Sequence, residues 1–337
     1  MKIGNFDTDK KIMIIAEIGN NHEGNFDLAE LMIREASKTG VDAVKFQTFR
    51  TEHYISQKDK VRFNRLKSFE LKYNEFEKLS KIAKEKGLIF LSTPFDIESA
   101  NYLNKIVPAF KISSGDNNFY PLIEAIACFG KPIILSSGLA DINQIIKSKR
   151  FIENIWKKKE ITQEIAILHC VTNYPVEPFE ANLKAISTLK DRLNCTIGYS
   201  DHTIGIEAAV ISVVLGARII EKHFTIDKNY SDFHDHKLSA DPKEMTNLVK
   251  RIKEVTILMG SGKKELQNSE KLNVKLLRRS IVASRKINKG EIIGENDITW
   301  IRLDKGLPAG YEKKILGKKT TKSFKIGEPI ILDYLQK

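Results

Sequence analysis

Two lysines interrupt apolar runs: Lys45 in AVKFQTF and Lys111 in AFKI. A lysine inside a buried strand needs an anion or a cavity, because an unpaired buried ammonium is costly. The two are expected to share one anion site. Ser114, Ser137 and Ser200 offer hydroxyls, and Gly115 and Gly138 allow backbone N–H groups to approach a ligand. Several such donors beside positive charge suit a phosphate, although any single Ser-Gly pair is an ordinary turn signal. His202 and His223 close two consecutive runs. Neighbouring strand ends bring two imidazoles together, and two His with water or substrate oxygens suit Mn, Fe, Co or Zn. Two histidines at the edge of a core fit the same spacing. His53, His169, His234 and His236 need no ligand role.

These side chains require a frame. Eight short apolar runs, at 12–18, 43–49, 88–92, 109–112, 133–137, 165–170, 196–199 and 218–224, alternate with segments of helical spacing. A last helical segment covers 242–259. Eight strand–helix units of this length predict a (β/α)8 TIM barrel. A doubly wound sheet is disfavoured, because no GxGxxG follows the first run. Barrel active sites lie at the C-terminal strand ends. Glu17, Lys45, Gln47, Thr93, Lys111, Ser114, Ser137, Thr172, Asn173, Tyr174, Ser200, His202 and His223 all fall at or just beyond such ends.

The pattern changes after residue 260. GSGKKELQNSEK is polar and loop-like, and short β-rich runs follow at 280–283, 292–293 and 298–301. The reading is a barrel over 1–260, a linker over 261–278 and a small β-rich domain over 279–337. The tail carries 13 Lys and Arg against 7 Asp and Glu, within a chain of formal net charge +12. Such a balance suits anionic small substrates, anionic membranes or nucleic acid. No basic run with interleaved aromatics supports nucleic acid, and no apolar run approaches a membrane span. Cys128, Cys170 and Cys195 are widely spaced in apolar stretches, as buried small hydrophobes are. The N-terminal segment lacks the apolar core of a signal peptide, so a cytoplasmic location without nucleic-acid or membrane partners is expected.

Seven motifs, in order, resemble the sialic acid synthase family of N-acetylneuraminate, legionaminate and pseudaminate synthases. They are AEIGNNHEG (16–24), VKFQTF (44–49), STPFD (92–96), KISSGD (111–116), GKPIILSSG (130–138), GYSDHT (198–203) and EKHFT (221–225). The tail from RRSIVASRKINKGEII resembles the antifreeze-like (SAF) domain that follows the barrel in that family. The resemblance implies that phosphoenolpyruvate (PEP) attacks the open-chain aldehyde of an N-acylated amino sugar through its C3. Water adds at C2 and phosphate leaves by C–O cleavage. It further implies that Lys45, Lys111, Ser114, Ser137 and Ser200 hold PEP, with Thr172 or Asn173 as a further contact. His202 and His223 would bind a divalent metal, usually Mn2+, with Mg2+ or Co2+ as alternatives. Glu17 would act as acid, base or water-positioning group, or else as the salt-bridge partner of a site lysine. Gln47, Thr93, Tyr174 and Asp235 would meet the sugar. Arg302 matches an arginine that reaches the partner barrel in a domain-swapped homodimer.

The chain also departs from the family. Where the family often has Gly-Pro before Asp235, this chain has Phe233 and His234. Asp235-His236-Lys237 looks closer to the neuraminic and legionaminic branches than to the pseudaminic one. The competing readings are a metal-dependent barrel aldolase, a related PEP–sugar-phosphate synthase, or a non-catalytic sugar- or ice-binding protein.

Overall fold

The computed structural model describes residues 1–336 and divides into two compact units, Met1–Gly260 and Ser261–Lys337. The first opens with a hairpin of β1 (Lys2–Ile3) and β2 (Phe6–Asp7). Strands this short carry no readable period, and the sequence did not disclose them. Eight parallel strands follow: β3 (Met13–Gly19), β4 (Ala43–Thr48), β5 (Ile89–Pro94), β6 (Phe110–Ile112), β7 (Ile133–Ser136), β8 (Ile165–Cys170), β9 (Thr196–Asp201) and β10 (Ile219–His223). Their order is β5-β4-β3-β10-β9-β8-β7-β6. The end strands β5 and β6 lie against each other, so the sheet curls into a nearly closed (β/α)8 barrel.

Strands covered on both faces read as continuous apolar runs, which is why they were visible in the sequence. Along each strand, side chains alternate between the barrel interior and the helix layer. Met13, Ile15, Ala43, Leu91, Ile134 and Ile219 fill the interior together with Met1 and Ile3 of the hairpin. Ile14, Ala16, Val44, Phe90, Ile133 and Ile220 belong to the larger core facing the helices. One step further along, the inward series continues with Glu17, Lys45, Lys111, Ser136, Ser200 and Glu221, all buried. The same two-residue period that packs the floor of the barrel therefore builds its polar upper layer.

Connections near that upper end matter most. Three helices separate β4 from β5: Thr51–Tyr54, Lys60–Phe69 and Tyr73–Glu85. The end of the second packs on Gly24 in the loop after β3. A Cβ there would stand 2.0 Å from the Ser68 carbonyl oxygen, and φ is +79°, so glycine is required twice over. Phe69 also meets Phe233, with ring centroids 5.1 Å apart. The loop after β10 holds the short helix His234–Leu238.

The second unit pairs β11 (Arg279–Ala283) with β12 (Ile298–Arg302) in antiparallel register. The run at 292–293 is not a strand; Ile292 makes one bridge to Lys319. Ile281, Ile287, Ile293, Ile315, Phe324 and Ile330 form a separate core. The stretch 261–278 is not loop throughout, since it contains the helix Lys271–Leu277. Among the described residues no helix is long and apolar enough to cross a membrane.

Candidate active site

Four ionisable side chains meet inside the barrel. Glu221 on β10 lies between the two strand lysines, its Oε1 3.7 Å from Lys45 Nζ and 3.8 Å from Lys111 Nζ. Ser200 Oγ donates to the same oxygen at 3.0 Å. Burial works against ionisation of Glu221, but Lys111 and Lys45 outweigh it and pull its pKa down to about 2. Lys45 also pairs with Glu17 Oε2 at 2.8 Å and donates to Thr93 Oγ1 at 3.1 Å. Burial disfavours its charge, yet Glu17 and Glu221 hold its pKa above the ordinary value. Lys111 is lowered by burial, with the nearby Lys45 adding to the effect and Glu221 opposing it. It donates to Ser136 Oγ at 2.6 Å.

Glu17 differs from Glu221. Burial, reinforced by the nearby Glu221 charge, outweighs Lys45 and raises its pKa to about 7. Gln47 donates to its Oε1 at 3.3 Å and accepts from Asn20 at 2.9 Å, which orients the carboxyl group. Two carboxyl groups in one cavity thus have opposite protonation tendencies. One is a fixed anion between ammonium groups; the other is poised to exchange a proton near neutrality.

Beside Lys111 lies a cradle of small donors. Gly138 N–H donates to Ser114 Oγ at 3.1 Å. A Cβ at Gly138 would come within 2.2 Å of Thr172 Oγ1 and 2.6 Å of Ser114 Oγ, so any larger residue would spread these hydroxyls. Thr172 Oγ1 is buried without a hydrogen-bond partner. Ser137 Oγ donates to the Leu168 carbonyl at 2.9 Å, and Ser136 is the serine that meets Lys111. Of the pair left open in the sequence, Thr172 joins the cradle, whereas Asn173 is exposed.

A third group lines the ends of β9 and β10. The His202 and His223 ring centroids are 5.3 Å apart. His202 Nδ1 lies 2.9 Å from the Val171 carbonyl oxygen, which favours a proton there and leaves Nε2 for a ligand. Burial lowers the His223 pKa to about 3, which keeps it in the neutral form a metal binds. Its buried Nδ1 has no hydrogen bond; Asp235 Oδ2 lies 3.7 Å away. Tyr174 covers the pair, its ring 4.3 Å from His202 and 5.9 Å from His223. Among the described residues no set of three or more His, Cys, Asp or Glu side chains is arranged to hold a metal. The protein therefore offers two imidazoles, and a bound ion would need further ligands from water or substrate. Arg302 belongs to the second unit, where it is exposed opposite Arg279.

Glu221 was the residue that sequence reasoning missed as a site member. It lies in the EKHFT motif beside Lys222, and the motif alone does not say which of the two charges faces inward. Lys222 instead points to the other side, 3.0 Å from buried Asp201.

The NeuB family model matches residues 32–264 and the SAF domain model matches 278–335. The chain is 40% identical to N,N'-diacetyllegionaminic acid synthase of Campylobacter jejuni, over 95% of this chain and 99% of that protein. It is 34% identical to pseudaminic acid synthase of the same species, over 98% of each. A crystal structure of the N-acetylneuraminic acid synthetase of Leptospira borgpetersenii superposes with a TM-score of 0.75 at 38% identity, covering 82% of this chain and 95% of that one. The chain is a NeuB-family enzyme, a sialic-acid-type synthase with a C-terminal SAF domain.

Proposed function

We propose that the protein condenses PEP with an N-acylated amino sugar to a nine-carbon 3-deoxy-2-keto acid and releases inorganic phosphate. The observation that carries this reading is the pair of buried lysines converging on Glu221 beside the Ser114–Gly138–Thr172 cradle. Two ammonium groups together with the hydroxyl and N–H donors of the cradle suit a phosphate ester. Lys111, Ser114, Ser136 and Thr172 would hold the phosphate, with Lys45 beside the enol carboxylate. Fixed donors of this kind need little reorganisation as charge moves during reaction.

The enol C3 attacks the sugar aldehyde, and a carbon–carbon bond forms. Water adds to C2, and the C2–O bond to phosphate breaks to leave the ketone. Glu17, oriented by Gln47, would accept the proton of the attacking water. His202 and His223 would hold a divalent metal, Mn2+ first among candidates, whose chemistry is to polarise the aldehyde oxygen. Tyr174 and Asp235 would line the sugar side of that position, with Gln47 and Thr93 below.

Within the family, the legionaminic branch is favoured. The 40% identity to the legionaminic synthase of Campylobacter jejuni supports it, and the Asp235-His236-Lys237 segment supports the neuraminic and legionaminic branches together against the pseudaminic one. The proposed acceptor is therefore a 2,4-diacetamido-trideoxy hexose. Metal-stripped protein should be incubated with PEP and a sugar panel, with and without Mn2+. Phosphate release is expected to be at least about tenfold faster with the legionaminic precursor than with N-acetylmannosamine or the pseudaminic precursor. Stripping is expected to cost about 100-fold or more, restored by added Mn2+. Preference for another sugar would move the branch. Full activity after exhaustive stripping would remove the metal from the account.

A further inference from the structure

Asp235 carries a buried carboxylate. Its Oδ1 lies 3.0 Å from His234 Nε2, within ion-pair distance but outside hydrogen-bond geometry, while Oδ2 faces His223 Nδ1 at 3.7 Å. His234 is therefore the close partner of the side of Asp235 that does not face the metal-site histidine. A proline, frequent at this position in the resembling family, has no side-chain donor to offer.

The imidazole of His234 is itself held. It meets Phe233 at 4.8 Å and stands perpendicular to Tyr174 at 5.8 Å, measured between ring centroids. The short helix bearing it is fixed independently. Buried His236 places Nε2 3.1 Å from Glu23 Oε1 in the loop after β3, and Nδ1 2.7 Å from Thr225 Oγ1. Ser231 Oγ donates to the same Glu23 oxygen. His236 thus ties the helix to the barrel independently of His234.

We propose, on the reading that Asp235 meets the sugar, that His234 is a positioning residue that sets acceptor binding by fixing the Asp235 carboxylate. The orientation of a carboxylate decides which sugar O–H or N–H it can accept. Holding one oxygen directs the remaining lone pairs. An ion pair at this distance also raises the cost of letting Asp235 rotate.

The test compares steady-state kinetics of the full-length wild-type protein with H234A, H234Q, D235N and the H234A/D235N double variant. H234A is expected to raise the sugar KM about tenfold while the PEP KM stays within about twofold. H234Q should recover most of the loss, because its side-chain amide can place a donor near the same oxygen. H234A should add nothing once Asp235 is Asn. An unchanged sugar KM in H234A and H234Q, or full additivity with D235N, overturns the proposal while the synthase reading stands. A wild-type protein that turns over no sugar in the panel overturns that reading first, and the proposal with it.

Discussion

Glu17→Gln lowers kcat by about three orders of magnitude, in the range expected when a positioned proton acceptor is removed. The amide keeps the size of the side chain but cannot take a proton from water. A second signature accompanies this loss. In the free enzyme, burial and Glu221 hold the Glu17 pKa at about 7 against the pull of Lys45. As pH falls through that value the carboxylate gains a proton and can no longer accept one. Wild-type kcat/KM is therefore expected to rise between pH 6 and 8, with its midpoint near the Glu17 pKa. The rise should be absent from the residual activity of Glu17→Gln. Glu221 does not contribute to this limb, since its pKa of about 2 keeps it ionised throughout. An unchanged pH profile in the variant would assign the titration to another group.

Lys111→Ala has the second-largest expected effect, and it falls on the other substrate. Lys111 is buried and donates to Ser136 beside the phosphate cradle. Removing a buried charge that pairs with a ligand costs about 2–5 kcal/mol. The PEP KM is expected to rise about 100-fold, with a much smaller change in the sugar KM. Glu221 would keep Lys45 and Ser200 as partners, so the fold should survive; thermal unfolding would check this. A rise confined to the sugar KM would place Lys111 at the acceptor end and reverse the proposed orientation of the substrates.

Much of this site could be read from the chain because the barrel writes its interior in a period of two. Lys45 and Lys111 stood out as charges within apolar runs, and the structure brings both to one carboxylate. His202 and His223 stood out because they end neighbouring strands, and their rings are adjacent. The identity of that carboxylate was hidden. Glu221 and Lys222 are consecutive, and only strand parity separates them: Glu221 follows inward Ile219, whereas Lys222 follows Ile220 in the helix-facing core. Extending that parity to β7 would also have picked out Ser136, the serine that meets Lys111. The contacts of Asp235 lay beyond such counting. They depend on a loop whose path is set by long-range packing of Phe69 on Phe233 and of His236 on Glu23. The hairpin under the barrel was invisible for a simpler reason, since two-residue strands have no pattern to read.

The central claim is that carbon–carbon bond formation is coupled to cleavage of the bond between C2 and the phosphate oxygen. It is tested most directly with PEP carrying 18O in that bridging position. The labelled PEP would be incubated with Mn2+ and the best acceptor sugar, and both products followed by mass spectrometry. The account predicts that the label leaves entirely with inorganic phosphate, while the nine-carbon keto acid takes its new oxygen from water. Label retained at C2 of the organic product would mean phosphorus–oxygen cleavage, and would contradict the mechanism assigned to this site.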